Sequence, residues 1–237
     1  MLILAIDTST MTGGVALLRD GALVGENILK VSAAHSERLM PAVESLLASS
    51  GCTPRDIDAV CCGIGPGSFT GVRIGVSASK GMAYALRIPI VGVPTLDALA
   101  AARSVGEPVK VWSLIDARHG RFYSACFRSA GEVNVKRLND YAIRTVDDLA
   151  VSGDVDERLL LVGDGAARYR DDIVAALGPR AWIPPEPLTL LRPVQVGLLG
   201  AAMLESGVRH DVASLAPFYL RPSEPELRMG SVEGANK

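Results

Sequence analysis

The chain has few aromatic residues, few histidines and no excess of charge of either sign. Phe, Tyr and Trp make up 5% of its 237 residues, so Ala, Val and Leu must supply most of the core, as in tightly packed α/β layers. It has three histidines and four cysteines, with neither a Cys-x-x-Cys nor a His-Glu-x-x-His pattern. The net charge of −2 argues against a chain that binds nucleic acid on its own, because such binding usually depends on a basic surface.

Targeting signals and membrane spans are also missing. The opening apolar residues reach Asp7 too soon for a signal peptide, and no uncharged apolar run is long enough to cross a bilayer. Cys61 and Cys62 are neighbours in an apolar strand and must point to opposite faces, which is typical of reduced, packed thiols. We therefore expect a cytoplasmic protein with no membrane partner.

What the sequence does contain is one series of elements that occurs twice. Each half begins with an apolar strand that ends in an aspartate, Asp7 or Asp116. A hairpin and a helix follow, and then a further strand that leads into a Gly-rich turn. This order predicts an α/β protein of two similar lobes, residues 1–105 and 106–214, joined near 104–108 with a cleft between them. Residues 215–237 contain several prolines and are predicted to be an irregular tail.

Two loops of the first half are candidate phosphate loops. One carries Asp7, Thr8, Ser9 and Gly13, and the other carries Gly65, Gly67 and Ser68 at the start of a predicted helix. Backbone amides at a helix start, together with a carboxylate and hydroxyls, could hold phosphate and a metal ion. The same residue types also form tight turns and helix caps, and no P-loop lysine follows the glycines, so both interpretations stay open.

The helix predicted over residues 70–86 is unusual because Gly71, Gly75 and Gly81 lie within it. Each interior glycine costs a helix about 1 kcal/mol relative to alanine, so close packing must offset the cost. A face of small residues lets another helix approach, either the helix predicted over 36–49 of this chain or a helix of a second protein. The opposite face is also uncharged, which favours a protein partner.

Several of these segments together resemble the bacterial TsaB family. The matching stretches are Ile6-Asp7-Thr8-Ser9, His35-Ser36-Glu37-Arg38-Leu39-Met40-Pro41, the string from Gly65 to Gly75, Asp116-Ala117-Arg118 and Pro217-Phe218-Tyr219-Leu220-Arg221. The resemblance implies two ribonuclease-H-like lobes of the actin, sugar-kinase and heat-shock-chaperone superfamily. It also implies a non-catalytic dimerisation subunit of the machinery that adds threonylcarbamoyl to the adenosine beside the anticodon of tRNA.

The same resemblance implies partners and the absence of a metal site. The catalytic homologue TsaD carries a His-x-x-x-His metal pair, whereas here His35 is followed by Leu39. We therefore expect no metal and no cofactor on this chain, with ATP and a metal ion on the partner subunits. The expected partners are TsaD and the ATPase TsaE, a second copy of the chain when it is alone, and tRNA through the complex.

In this family the helices of the first lobe form the dimer contact. The positions carried over onto the predicted helices 36–49 and 70–86 are Ser36, Leu39, Met40, Val43, Leu46, Thr70, Val72, Arg73, Val76, Ser79, Lys80 and Ala83. One departure concerns the second lobe, where Arg121 stands in place of the family's usual glutamate. Arg118 and Arg121 are candidates for direct contact with tRNA, although a solvated hairpin surface would look the same.

Two other functions remain as alternatives. Asp7 and the two loops are compatible with an ATP-using enzyme of the same superfamily, such as a small-molecule kinase or an ATPase. His35-Ser36 is the only local support for a peptidase, and helix capping by Ser36 explains that pair more simply.

Overall fold

The first lobe is built on a mixed five-stranded sheet. The computed structural model describes residues 1–30, 35–101, 109–129, 135–151 and 157–221. The strand order is β3-β2-β1-β4-β5, with β1–β2 and β2–β3 antiparallel and β1–β4 and β4–β5 parallel. The strands are β1 (Leu2–Asp7), β2 (Thr12–Arg19), β3 (Ala22–Lys30), β4 (Ala59–Gly65) and β5 (Ile90–Pro94).

The second sheet has the same pattern, which confirms the repeated order of elements. Its strands run β11-β10-β6-β7-β8, with β9 also paired to β7. The β6–β7 pair is antiparallel, and β10 is parallel to both β6 and β11. The strands are β6 (Lys110–Asp116), β7 (Phe122–Ser129), β8 (Val135–Arg137), β9 (Ala142–Arg144), β10 (Leu159–Val162) and β11 (Ala181–Trp182). The sequence analysis missed the short strands β9 and β11.

Eight α-helices lie in the described part of the chain. They are α1 (His35–Ser49), α2 (Phe69–Leu86), α3 (Thr95–Ala101), α4 (Val146–Ala150), α5 (Asp164–Arg168), α6 (Arg170–Leu177), α7 (Glu186–Thr189) and α8 (Pro193–Glu205). The chain from 164 to 177 forms two helices rather than one, because Tyr169 stands between them with φ −105° and ψ 29°. The ring of Tyr169 packs edge-on against Phe122 at 5.3 Å, which holds the chain out of the helical path.

Local sequence signals set several helix ends and the first hairpin. Asp20 and Gly21 take φ of 51° and 79°, as a tight hairpin turn requires, and Gly51 takes φ of 64° just after α1. The Ser68 hydroxyl accepts the Gly71 N–H at 3.2 Å and caps α2. Thr145 caps α4 in a reciprocal arrangement with Asp148.

The first sheet is covered on both faces, as its continuous apolar strands require. Leu4 and Cys62 point toward the α1 and α2 side, whereas Ile3 and Cys61 point toward α3 and α8. The opposite orientation of the two cysteines is therefore confirmed, and all four cysteines are free and buried.

Helix α8 is the main departure from the predicted domain boundaries. The sequence analysis placed it in the second lobe, residues 106–214, but it packs across the first sheet. A Cβ on Gly197 would lie 2.3 Å from Leu18 Cδ1, and one on Gly200 would lie 2.4 Å from Cys61 Sγ, so only glycine permits this approach. The stretch Glu186–Glu205 is apolar enough to resemble a membrane span, with a mean hydropathy of 1.3, but 56% of it is buried within the protein. Its composition is that of a core helix.

The chain after α8 also returns to the first lobe. Leu215 is buried in the core beside α2, and Lys80 Nζ donates to the carbonyl oxygens of Ala213 (3.0 Å) and Leu215 (2.8 Å). The Phe218 N–H donates to the Ile64 carbonyl at 2.7 Å. The tail forms neither helix nor strand from 215 to 221, while residues 222–237 and the predicted joint at 104–108 lie outside the described residues.

The glycines of α2 give a direct test of this packing. A Cβ on Gly81 would meet nothing within 4 Å, whereas one on Gly75 would lie 2.5 Å from Thr8 Oγ1. We expect Gly81→Ala to raise the free energy of unfolding by about 1 kcal/mol, through helix propensity alone. Gly75→Ala should lower it, because the loop after β1 would have to move. Urea denaturation of both variants checks this, and a gain in stability for Gly75→Ala would contradict the packing.

Candidate functional site

The candidate site is a cleft of about 400 Å³ between the two lobes. Loops at the ends of β1 and β4 form one wall, the turn after β6 forms the other, and the tail closes one side. The lining residues are Ser9, Thr10, Met11, Pro66, Gly67, Ser68, Phe69, Thr70, Ile115, Asp116, Ala117, Arg118, His119, Tyr123, Asp164, Phe218, Tyr219, Leu220 and Arg221.

The hydroxyl groups of the first loop are used within the protein. Thr8 Oγ1 donates to the Gly71 carbonyl at 2.6 Å, and Ser9 Oγ donates to Asp7 Oδ1 at 2.8 Å. Thr10 Oγ1 donates to the Thr12 carbonyl at 3.0 Å. All three residues are buried. Because a hydroxyl has only one hydrogen to donate, this loop offers no free hydroxyl donor to a phosphate, and the turn interpretation is the one that the geometry supports.

The second loop lies in direct contact with the first. The Ser68 N–H donates to the Ser9 carbonyl at 2.7 Å. A Cβ on Gly67 would lie 2.2 Å from the Ser9 oxygen, and one on Gly71 would lie 2.0 Å from the Thr8 oxygen. The backbones of the two loops therefore touch, and these close contacts support the packing interpretation of the loop residues.

The other two glycines assigned to these loops also have structural roles. Gly13 lies inside β2, paired with Leu29 of β3, and is not part of a loop. Gly65 has a φ of 101°, and a Cβ there would lie 2.6 Å from the Phe218 carbonyl oxygen of the tail. Both the backbone conformation and the space at Gly65 require glycine.

Asp7 is enclosed beneath the loops and does not line the cleft. Its carboxylate accepts from Ser9, and a Cβ on Gly63 would lie 2.0 Å from Asp7 Oδ1. Burial raises the pKa of Asp7 to about 6, an effect that the hydrogen bonds from Ser9 oppose. A carboxylate held in this way does not reach a hydrated metal ion in the cleft.

The carboxylates that do line the cleft are Asp116 and Asp164, which the sequence analysis did not propose as site residues. Asp164 Oδ1 accepts the Asp116 N–H at 3.0 Å, and burial raises the pKa of Asp164 to about 6, with the nearby Asp116 charge adding to the effect. Asp116 accepts from the Arg118 N–H at 2.8 Å and from Arg168 Nη1 at 3.1 Å. The signal was available, because Asp116 ends β6 as Asp7 ends β1.

Most of the expected partner-contact residues lie inside the first lobe. Helix periodicity points them toward the sheet, and the buried members are Leu39, Val43, Leu46, Val72, Val76, Ser79 and Ala83. The structure corrects the assignment of these seven residues to a partner-contact surface, because other parts of the same lobe cover them. Met40, Thr70 and Arg73 are exposed, and Lys80 is half-buried by the tail. The side chain of Ser36 lies outside the described residues.

The surface of α2 that does face outward was only partly anticipated. Its exposed residues follow a spacing of three and four, which places them on one side of the helix. We call this set the outer face of α2, and it consists of Thr70, Arg73, Ser77, Gly81, Tyr84 and Ala85. Arg73 carries its only charge, and Tyr84 is 78% exposed.

The small-residue side of α2 is not the free surface that its composition suggested. Gly71 and Gly75 pack against Thr8 rather than against α1 or a second protein. The interpretation of α2 as a partner helix therefore depends on its outer face, and not on these glycines.

Side chains that could bind a metal ion do not cluster around the cleft or elsewhere in the described part of the chain. Among the residues that the structure describes, no three or more His, Cys, Asp or Glu side chains come close enough to hold a metal ion. The position one helical turn after His35 is Leu39, which is buried in the core.

The raised pKa of Asp7 predicts a specific dependence of stability on pH. The folded state holds this proton more tightly than the unfolded chain, whose carboxyl has its ordinary pKa near 3.8. Ionisation therefore lowers the free energy of unfolding as the pH rises from about 4 to about 6, by about 3 kcal/mol in all. Asp7→Asn cannot ionise, so its stability relative to the unmodified chain should increase by about 2–3 kcal/mol across that window.

Urea denaturation at several pH values measures this difference. Glu44→Gln is the control, because it removes one exposed carboxyl and keeps Asp7 and its surroundings. If the stability difference between Asp7→Asn and the unmodified chain stays constant with pH, the proposed burial of an ionisable Asp7 is contradicted.

Comparison with known proteins places the chain in a family. A family model for "TsaD: tRNA N6-adenosine threonylcarbamoyltransferase" matches residues 29–169. The tRNA threonylcarbamoyladenosine biosynthesis protein TsaB of Bacillus subtilis is 34% identical over 96% of this chain and 97% of its own length. The TsaB protein of Escherichia coli is 43% identical over 53% of this chain and 54% of its own length.

Solved structures agree with the sequence relatives. YeaZ from Pseudomonas aeruginosa superposes with a TM-score of 0.79 and 29% identity, covering 92% of this chain and 99% of that one. A second Pseudomonas aeruginosa structure, described as an uncharacterized protein with similarity to peptidase YeaZ, gives a TM-score of 0.78 with 29% identity over 93% of this chain and 99% of that one. The expected fold of two ribonuclease-H-like lobes is confirmed, and the chain belongs to the TsaB family of tRNA threonylcarbamoyladenosine biosynthesis proteins.

Proposed function

We propose that this chain acts in the biosynthesis of threonylcarbamoyladenosine, beside the tRNA anticodon, as a non-catalytic subunit that pairs with TsaD. The observation that carries this proposal is the outer face of α2, a nearly uncharged helix surface left open in the isolated chain. TsaE and tRNA bind to the complex of this chain with TsaD, and the complex is cytoplasmic. When TsaD is absent, the chain pairs with a second copy of itself. TsaD and TsaE supply the ATP and metal sites, and this chain requires no cofactor.

The first supporting argument is the chemistry of the loops. A catalytic phosphate loop needs free donors and an accessible carboxylate, but the Thr8 and Ser9 hydroxyls are bonded internally and Asp7 is enclosed. The backbones of the two loops fill the space between them. The chain thus has the fold of the superfamily, but its loop residues pack against one another instead of binding phosphate. This is compatible with a scaffold role.

The second supporting argument is the shape of the outer face. Gly81 has no atom within 4 Å of where its Cβ would be, so another helix could approach the α2 backbone closely at this point. Tyr84, one turn further on, supplies an exposed aromatic ring, and Met40 of α1 is 41% exposed. Tyrosine and methionine are both enriched at the buried centres of protein interfaces, which supports a docking role for this surface.

The docking prediction uses two substitutions at a single position. Gly81→Arg places a long charged side chain on the outer face and should weaken pairing with TsaD by at least about tenfold. Gly81→Ala adds one methyl group in open space and should leave pairing intact while raising stability. Size-exclusion chromatography with light scattering, run on each chain alone and with TsaD, measures both outcomes. Co-elution of a folded Gly81→Arg chain at wild-type affinity would show that pairing uses another surface.

A nucleotide-binding enzyme is the second candidate function, and one observation favours it. Asp116 and Asp164 lie together in the cleft at the ends of β6 and β10, where a superfamily enzyme could place a magnesium nucleotide. The description of one Pseudomonas aeruginosa structure as similar to a peptidase is the only new support for proteolysis.

Calorimetry with ATP and magnesium separates the scaffold from the enzyme. We expect the isolated chain and its Asp164→Asn variant to give the same titration, because the scaffold role does not use this carboxylate. Tight binding by the unmodified chain that Asp164→Asn abolishes would favour the enzyme instead. An Asp7→Asn chain serves as control, since Asp7 lies outside the cleft lining.

A further inference from the structure

A small group of basic residues lies along one side of the cleft mouth. Arg118, His119 and Arg221 line the cleft, and Arg121 belongs to the same turn as the first two. We call this set of four the cationic rim. The whole chain has a net charge of −2, so the rim is a local concentration of positive charge in a slightly acidic protein.

The arginines of the rim have no ionic partner within the described residues. Within those residues, the guanidinium groups of Arg118, Arg121 and Arg221 make neither a hydrogen bond nor an ion pair. Arg168 lies beside them but is paired with Asp116 at 3.1 Å, so it is not counted in the rim. Arg118 and Arg121 are exposed and Arg221 is half-buried, which leaves their charges available to a ligand.

The turn that carries two of these arginines is held in an uncommon backbone conformation. Arg118, His119 and Gly120 take φ of 69°, 54° and 69°, a region that side-chain-bearing residues rarely adopt. Asp116 Oδ1 accepts the Arg118 N–H at 2.8 Å, and the hydroxyl of Tyr169 accepts the Gly120 N–H at 3.2 Å. Strain of this kind persists only where surrounding contacts hold it, and here it fixes a basic turn at the cleft mouth.

The charges below the rim limit what can bind to it. Asp116 and Asp164 lie deeper in the cleft and repel an anion that enters fully. A ligand that satisfies the rim must therefore lie across the mouth. Three arginines on two separate chain segments match a series of phosphates better than a single one.

We propose that the cationic rim contacts the phosphate backbone of RNA. This inference rests on the proposed function, because that function brings tRNA to the complex. The rim contributes affinity without reading bases, since phosphate contacts position a nucleic acid and do not identify its sequence. A chain too acidic to bind RNA alone can add such contacts once a partner holds the RNA nearby.

The test is RNA binding by the assembled complex of this chain with TsaD. Arg118→Ala/Arg121→Ala should weaken binding of an unmodified tRNA transcript by about tenfold. The slope of log K against log salt, measured by fluorescence anisotropy from about 50 to about 200 mM salt, should become shallower by about 1.5–2. Arg128→Ala/Lys136→Ala is the matched control, because it removes the same amount of positive charge. These two exposed residues lie opposite each other on β7 and β8, at the end of β7 far from the cleft.

The outcomes separate this inference from the proposed function. If the unmodified chain fails to co-elute with TsaD, the proposed function is wrong, and the rim inference, which needs a partner to hold the RNA, fails with it. If the complex forms and both double variants bind RNA alike, the rim inference is wrong and the function stands. Loss of co-elution in the rim variant with unchanged RNA binding would assign the rim to a protein contact and also overturn the inference.

Discussion

Backbone contact between two loops of the first lobe is the constraint on which the rest of the site depends. The Thr8 and Ser9 carbonyls press against Gly71 and Gly67, and the Ser9 oxygen also accepts the Ser68 N–H. This contact fixes where α2 begins and requires glycine at two points. It also commits the neighbouring hydroxyls to internal bonds, so the same few atoms hold the lobe together and remove the donors that a phosphate would need.

Features governed by local rules could be predicted from the sequence. The Asp20–Gly21 hairpin, the Ser68 and Thr145 caps and the opposed cysteines each depend on residues close together in the chain. The repeated order of strands correctly indicated two lobes with one sheet pattern. The positions on α1 and α2 that were assigned to a partner contact are mostly buried within the lobe, because spacing alone does not say whether this chain or a partner covers a residue. Val72 and Val76 turned out to face the lobe's own sheet.

Features that depend on distant segments could not be predicted in this way. Asp116 and Asp164 come together only because β10 lies beside β6, and Tyr169 breaks a helix because of a ring on β7. The tail is a further case, since Tyr219 stacks on Phe69 at 4.9 Å and accepts a hydrogen bond from Arg73 Nε at 2.9 Å. None of these contacts leaves a periodic pattern in the sequence.

The position of α8 has a consequence for how the molecule is made. The helix that seals β1 and β2 is encoded near residue 200, whereas the strands that it covers are among the first to leave the ribosome. Domains generally fold as they emerge, N-terminal first. In this fold one apolar face of the first sheet stays uncovered until nearly the entire polypeptide, including α8, has been synthesised.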